Sequence, residues 1–303
     1  LIQCIGLEGK KIQAYHIGFI LAPCLNASGK LDTAKRALAL LRAKTEREAD
    51  MLAGDLKALN ESRRDMTDRV VDEAMAKVEQ TDIRGDKVLV IYLPDCHESL
   101  AGLVAGRVRE NYYRPVFVLT DSEDGVKGSG RSIESYSMYE ELTGCGDLLT
   151  KFGGHPMAAG LSLDKENVEK FKRRLNDQCT LSEEELTEKV VIDMELPFAA
   201  ITEQFIEELE YMEPFGKGNT KPVFAARGVV MQHVKIIGKN KNVAKATAID
   251  AAGNRMEAIC FHDAQEFAKQ CERNNGKMSI TFYPGINEFR GERQIQIVIT
   301  HYR

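Results

Sequence analysis

Lys87-Val88-Leu89-Val90-Ile91-Tyr92-Leu93 is an apolar run that opens on one lysine and does not alternate, and its reading decides the fold. A strand with one face in water alternates apolar and polar side chains, whereas an unbroken run asks for cover on both faces, as in a parallel strand inside an α/β sheet. The sequence that follows agrees. Residues 99–112 carry a helical pattern, and Arg114-Pro115-Val116-Phe117-Val118-Leu119-Thr120 is a second apolar run, so the path strand, helix, strand suits a parallel crossover. Beyond it the pattern predicts a helix over 138–151, a Gly/Ala-rich loop, a short strand over 160–163 and a helix over 165–179 capped by Asp164. A compact α/β domain is expected over 83–182.

The pattern changes on either side of this domain. Residues 32–80 are rich in Ala, Leu, Glu, Lys and Arg and nearly free of Gly and Pro. Residues 45–80 predict a single helix about 50 Å long at roughly 1.5 Å per residue, which is longer than a small domain is wide and suits a connector between lobes. With what precedes it, this helix makes up a first segment, 1–82. Residues 181–188 are polar and acidic, and after them short β-like runs (189–196, 223–237, 244–250, 255–261, 277–283 and 293–302) alternate with Gly and Asn turns, with helices at 201–211 and 264–270. Five or six short strands with an inserted helix suit a small closed barrel of the oligonucleotide-binding type over 183–303. The expected class is an α/β domain plus a small β-barrel, joined to a long N-terminal connector helix.

Composition narrows the function classes. The 303 residues are 43% hydrophobic and 29% charged, as in ordinary globular proteins, and no apolar run approaches the roughly 18 residues of a membrane span. Seven cysteines, odd in number and without a C-x-x-C pair, suggest neither a disulfide framework nor a zinc site, and point to a reduced, cytoplasmic setting. The chain opens at Leu1 inside what reads as folded sequence, with no signal core, and is expected to be a fragment. The net charge of −5 hides an uneven distribution: between Lys217 and Arg255 eight basic residues face the single acid Asp250. That segment, with Lys235, Lys239, Lys241 and Lys245 at its centre, is a candidate phosphate-binding surface.

Four motifs carry the candidate chemistry. In Gly153-Gly154-His155-Pro156-Met157-Ala158-Ala159-Gly160 the glycines permit close backbone approach, Ala158, Ala159 and Gly160 remove bulk, and only His155 projects a functional group. A tight turn before packed alanines would look the same. Lys127-Gly128-Ser129-Gly130-Arg131-Ser132 joins a flexible Gly-rich approach to an arginine fork suited to phosphate, although taken alone the string reads first as a plain surface turn. His97 follows the first buried strand, where ligands sit in open α/β sheets, or else it merely caps the helix behind it. Met212-Glu213-Pro214-Phe215-Gly216-Lys217-Gly218-Asn219 reads as a structural turn into the barrel, whose aromatics (Phe224, Phe261, Phe282, Tyr283 and Phe289) are either base-stacking platforms or core.

Taken together these strings resemble the RecJ family of single-strand-specific exonucleases in the DHH phosphoesterase superfamily. The GGHPMAAG string is similar to the GGHxxAAG signature of the DHH-associated domain, GSGRS to the GSxRS pattern, and residues 97–107 to HEGVIGIVASR, with Ser99 and Ala101 replacing Gly and Ile and Gly106 replacing Ser. Residues 209–224 resemble the LxPFGxGNPxPxF entry into the OB-fold, with Thr220 at a usual proline; residues 22–31 resemble APRLNAAGRL, with Cys24 and Lys30 at usual arginines. The resemblance implies that Arg131, Ser132, Gly153, Gly154, His155, Ala158, Ala159, Gly160, His97 and Asn26 hold the substrate's phosphates, with Arg131 and Ser132 facing the same cleft as His155. It also implies 5′-to-3′ hydrolysis of single-stranded DNA in repair and recombination by the parent protein, with Mn²⁺ or Mg²⁺ held by a separate DHH domain. No D-H-H triplet or Asp-rich cluster occurs, and the six histidines are scattered, so no metal site and no catalytic residue is expected in this chain. Single-stranded DNA is the expected partner of a monomer, with a single-stranded-DNA-binding protein or a helicase as further partners. A small-nucleotide DHH phosphodiesterase, or a RecJ-like binding protein without catalysis, stays open as an alternative.

Overall fold

The computed structural model describes residues 1–31, 34–238, 240–261, 263–289 and 291–303, and the side chains of all of these except 29–31 and 289. The chain divides into two compact units, Leu1–Glu188 and Lys189–Arg303.

The first unit opens with helices α1 (Ala22–Leu31) and α2 (Lys35–Arg42), which pack on the near half of the long α3 (Glu46–Gln80). Thr45 caps α3: its side chain accepts a hydrogen bond from the Glu48 amide at 3.2 Å, which satisfies one of the amides that a helix start leaves open. The far half of α3 is built into the α/β core, where Ala74 and Val78 are buried with Leu89, Ile91, Val116 and Val118. The expected crossover is present. Strand β1 (Leu89–Tyr92) leads through α4 (Glu98–Tyr112) to β2 (Val116–Ser122), paired in parallel with Leu89 opposite Val116. Alternate residues of β1 enter two different cores, Leu89 and Ile91 toward α3 and α4, Val90 away from them, which is why the run does not alternate.

After β2 the chain departs from expectation in two places. The Gly-rich segment read as a flexible turn is strand β3 (Gly125–Arg131), and the predicted 138–151 helix stops early as α5 (Met138–Gly144). Strand β4 (Leu149–His155) then pairs with β5 (Ala158–Leu163), so the expected Gly/Ala loop is a hairpin turning at Pro156 and Met157, ahead of α6 (Val168–Gln178). Asp164 makes no side-chain capping bond; it precedes a short 3₁₀ turn. The sheet order is β1-β2-β3-β5-β4, antiparallel beyond β2. Glycine is what lets β3 be a strand: a Cβ at Gly128 would lie 2.4 Å from Leu119 Cδ2, and one at Gly130 2.7 Å from the Phe117 ring. These two positions face the core under α5 and α6, filled by Phe117, Leu119, Leu161 and Phe171.

In the second unit, β6 (Met194–Glu195) and α7 (Glu203–Glu210) lead into β7 (Phe224–Ile237), β8 (Val243–Ile249) and β9 (Arg255–Cys260). Helix α8 (Ala264–Arg273) follows, then β10 (Lys277–Phe289) and β11 (Glu292–Tyr302). The order β10-β11-β9-β8-β7 closes through a β7–β10 pairing into a five-stranded barrel. Ala244, Ala246 and Ala248 point inward, leaving room for Phe224, Phe267 and Phe282 at the centre.

Candidate nucleic-acid interface

Helix α4 lies over one face of the first sheet at β2 and β3, where Leu100, Val104 and Val108 join Val116 and Val118 in one core and Gly102 meets Arg131. Beyond α4 the same face of β5 and β4, with the Lys127 and Ser129 positions of β3, is left open. Directly paired residues of antiparallel strands share a face, so the registers define three rows across this floor. They are Arg131–Ala158–His155, Ser129–Gly160–Gly153 and Lys127–Ser162–Lys151. The last two rows, with His97, Glu98 and Ser99 at the start of α4 as a wall, line an open cleft of about 670 Å³.

The middle row is nearly bare. A Cβ at Gly153 would meet nothing within 4 Å, and one at Gly160 only the Gly128 carbonyl oxygen at 3.9 Å, so no packing reason excludes a side chain at either position. Gly154 is different: its φ is +155°, and a Cβ there would sit 2.4 Å from the Ala158 carbonyl oxygen. Its role is to shape the hairpin. Ala159 likewise faces the core rather than the cleft.

The expected residues divide accordingly. Arg131 and His155 lie in one row on one face, bracketing Ala158. Ser132 does not join them: it is 1% exposed and its hydroxyl donates to the Tyr136 carbonyl, so it holds a turn and is unavailable to a ligand. The serine of that motif on the cleft side is Ser129. His97 both lines the cleft and caps α4, its Nδ1 accepting from the Ser99 amide at 3.2 Å and lying 2.8 Å from the Ser99 hydroxyl. Ser99, which stands where the motif has Gly, is a cleft residue. Asn26 is exposed on α1 and is not among the cleft residues. Cys24 is 3% exposed, with its thiol donating to the Ile20 carbonyl at 3.3 Å, so nothing at that position reaches a phosphate.

Electrostatics single out Arg131. Its Nη1 donates to the Gly130 carbonyl at 2.8 Å and, among the described residues, it meets no carboxylate. Burial, and then the neighbouring Arg109, lower its affinity for the proton, yet a guanidinium remains charged. A half-buried cation without a counter-charge is the arrangement an incoming anion relieves. Gly102 makes this position possible, since a Cβ there would lie 2.8 Å from Arg131 Nη2. That glycine was missed from sequence, although a glycine inside a helix, costing about 1 kcal/mol against Ala, was the available signal. Lys127, by contrast, donates to Glu98 at 2.7 Å; that bond holds the Glu98 carboxyl below and the Lys127 ammonium above their ordinary ranges.

The barrel's basic segment is less free than its sequence implies. Lys235 and Lys245 face each other across β7 and β8 on the outer surface, but Lys245 Nζ lies 2.7 Å from a Glu257 carboxylate oxygen. Arg227 pairs with Glu195 at 3.4 Å, and Lys221 sits 3.6 Å over the Tyr283 ring, where burial pushes its ammonium below the ordinary lysine range. Lys241 is exposed in the turn before β8, while Lys239 falls outside the described residues. Phe224 and Phe282 are core, and Phe261 is exposed.

Two family models match the chain: a DHHA1 domain over residues 85–181 and a RecJ OB domain over 192–301. The single-stranded-DNA-specific exonuclease RecJ of Bacillus subtilis is 34% identical over 303 residues, covering 99% of this chain and 38% of that protein. The chain belongs to the RecJ family. The RecJ of Salmonella typhimurium is 32% identical, over 99% of this chain and 53% of its own length, so the chain spans about half or less of these RecJ relatives. Thermus thermophilus RecJ in complex with Mg²⁺ shares the fold at a TM-score of 0.80 and 23% identity, over 100% of this chain and 45% of that one. A RecJ exonuclease bound to manganese aligns with 58% of this chain and 43% of its own at a TM-score of 0.50 and 34% identity. Among the described residues of the present chain, no three His, Cys, Asp or Glu side chains lie together as a metal would require, so its residues do not fit such an ion. No described helix is long and apolar enough to cross a membrane.

Proposed function

We propose that this chain is the substrate-holding portion of a cytoplasmic RecJ exonuclease, with the cleft beside α4 receiving the sugar-phosphate backbone of single-stranded DNA. The observation that carries the reading is the sheet floor beside α4, where Arg131 is half-buried under Gly102 with no carboxylate among the described residues, next to a row whose glycines have no packing reason to be bare. The Arg131–Ala158–His155 row offers a guanidinium and an imidazole to one phosphate, and Ser129 offers a hydroxyl next to it. The barrel contributes Lys235 and Lys241 as exposed cations on the strand's route, with Lys239 a candidate from the sequence alone. Hydrolysis from the 5′ end by the parent enzyme, in repair and recombination, draws on residues beyond these 303, which also hold the Mn²⁺ or Mg²⁺ that activates water in such chemistry. A single-stranded-DNA-binding protein or a helicase as partner, and a monomeric state, belong to the same reading.

Binding of single-stranded oligonucleotides across a salt series tests it. Each phosphate contact contributes roughly 0.7 to the log–log slope for single strands, so several contacts give a steep fall in affinity between low and high salt. Arg131→Ala should weaken binding about tenfold or more, as expected for loss of a charged hydrogen-bond donor. A salt-independent affinity, or an unaffected Arg131→Ala variant, refutes the assignment.

A further inference from the structure

Two of the three rows on the cleft floor carry cations. Arg131 and His155 bracket Ala158, and four residues along the same strands Lys127 and Lys151 bracket Ser162, with the bare Ser129–Gly160–Gly153 row between. At 3.2–3.4 Å per residue the outer rows stand about 13 Å apart. The two lysines are not equivalent. Lys127 is occupied by Glu98 at 2.7 Å, whereas Lys151 is exposed, lines the same cleft and makes no ion pair with any described residue. An unpaired surface lysine is unremarkable by itself. Lys151 differs in its position, on a concave floor, paired with Ser162 and four residues along β4 from His155, whose row holds the Arg131 guanidinium.

We propose that Lys151 and the Ser162 hydroxyl form a second phosphate subsite, so that the cleft grips a strand at two phosphates and selects oligonucleotides over mononucleotides. The inference rests on the phosphate reading of the Arg131 row. A strand drawn out to about twice the roughly 3.4 Å rise of a stacked strand covers 13 Å in two nucleotide steps, the reach of three successive phosphates. A nucleoside monophosphate has one phosphate and fills one row only. Gly153 and Gly160 between the rows leave space for the sugars that link the two phosphates.

The test titrates the 303-residue chain and its variants Lys151→Ala, Lys151→Arg and Arg131→Ala with thymidine 5′-monophosphate and with a 5′-phosphorylated trithymidylate over a salt series. Lys151→Ala is expected to weaken the trinucleotide roughly tenfold, to leave the mononucleotide unchanged, and to flatten the trinucleotide's salt slope by about 0.7, the share of one single-strand phosphate contact. Lys151→Arg, which keeps the charge, is expected to restore both the affinity and the slope. Arg131→Ala should weaken both ligands. If Lys151→Ala weakens both ligands equally or neither, while Arg131→Ala still weakens both, the second subsite is overturned and the first row stands. If Arg131→Ala weakens neither, the reading of the cleft falls and the second subsite falls with it.

Discussion

Two adjacent glycines of the same motif do opposite work. Gly154 has a backbone conformation and a surrounding that admit no side chain, while Gly153 opens onto empty space. The difference gives a paired prediction. Gly154→Ala should cost about 1–3 kcal/mol, because a strained φ and a backbone collision must both be absorbed. Gly153→Ala should leave the melting temperature nearly unchanged, within about 0.5 kcal/mol, yet lower oligonucleotide affinity by placing a methyl group on the cleft floor. Thermal melts beside binding titrations separate the two; equal affinity for Gly153→Ala and the parent chain would remove the steric argument for the bare row. The same contrast applies to the serines of GSGRS, where the alternation of β3 sends Ser129 toward the cleft and the turn after it buries Ser132.

At the scale of elements, β3 shows how a composition typical of turns becomes an interior strand. Gly128 and Gly130 occupy the core-facing positions, where Leu119, Leu161, Phe117 and Met138 leave no room for a Cβ, and the alternate positions on the opposite face carry Lys127, Ser129 and Arg131. Gly130→Ala should therefore destabilise the first unit by about 1–3 kcal/mol through overpacking, visible as a lower melting temperature. Well below that temperature its oligonucleotide affinity should match the parent's, since the altered face is the buried one. Loss of affinity in a fully folded Gly130→Ala chain would mean that the two faces of β3 are not independent. Helix α4 has a comparable division, with Leu100, Val104 and Val108 toward the sheet, Gly102 against Arg131, and His97 and Ser99 at the cleft wall.

For the whole molecule, candidate phosphate-holding groups line the cleft, and no metal-holding cluster is found among the described residues. The 303-residue chain, rigorously purified, is expected to bind single-stranded DNA and to leave it intact in the presence of Mn²⁺, as a radiolabelled-oligonucleotide assay would show. Turnover would reveal a hydrolytic centre within these residues. Basic segment and barrel must be weighed together at this scale, because the acids that answer Arg227 and Lys245 are Glu195 and Glu257, both outside the window in which the lysines cluster.

The sequence by itself determined the elements whose cause is local or periodic: the doubly covered run at 87–93, the Thr45-capped helix, the parallel crossover and the short strands that close into a barrel. Motif resemblance also marked the segments from which the cleft is built. Tertiary structure alone decided which side chains of those segments face the cleft. Strand register assigns each residue to one face of the sheet, and the position of α4, over β2 and the Arg131 end of β3, leaves that face open at β5, β4, Lys127 and Ser129. Ser129 and Lys151 were thereby admitted and Ser132 and Ala159 excluded, since the partners that set a strand's register are distant in sequence and a shift of one residue would reverse every assignment.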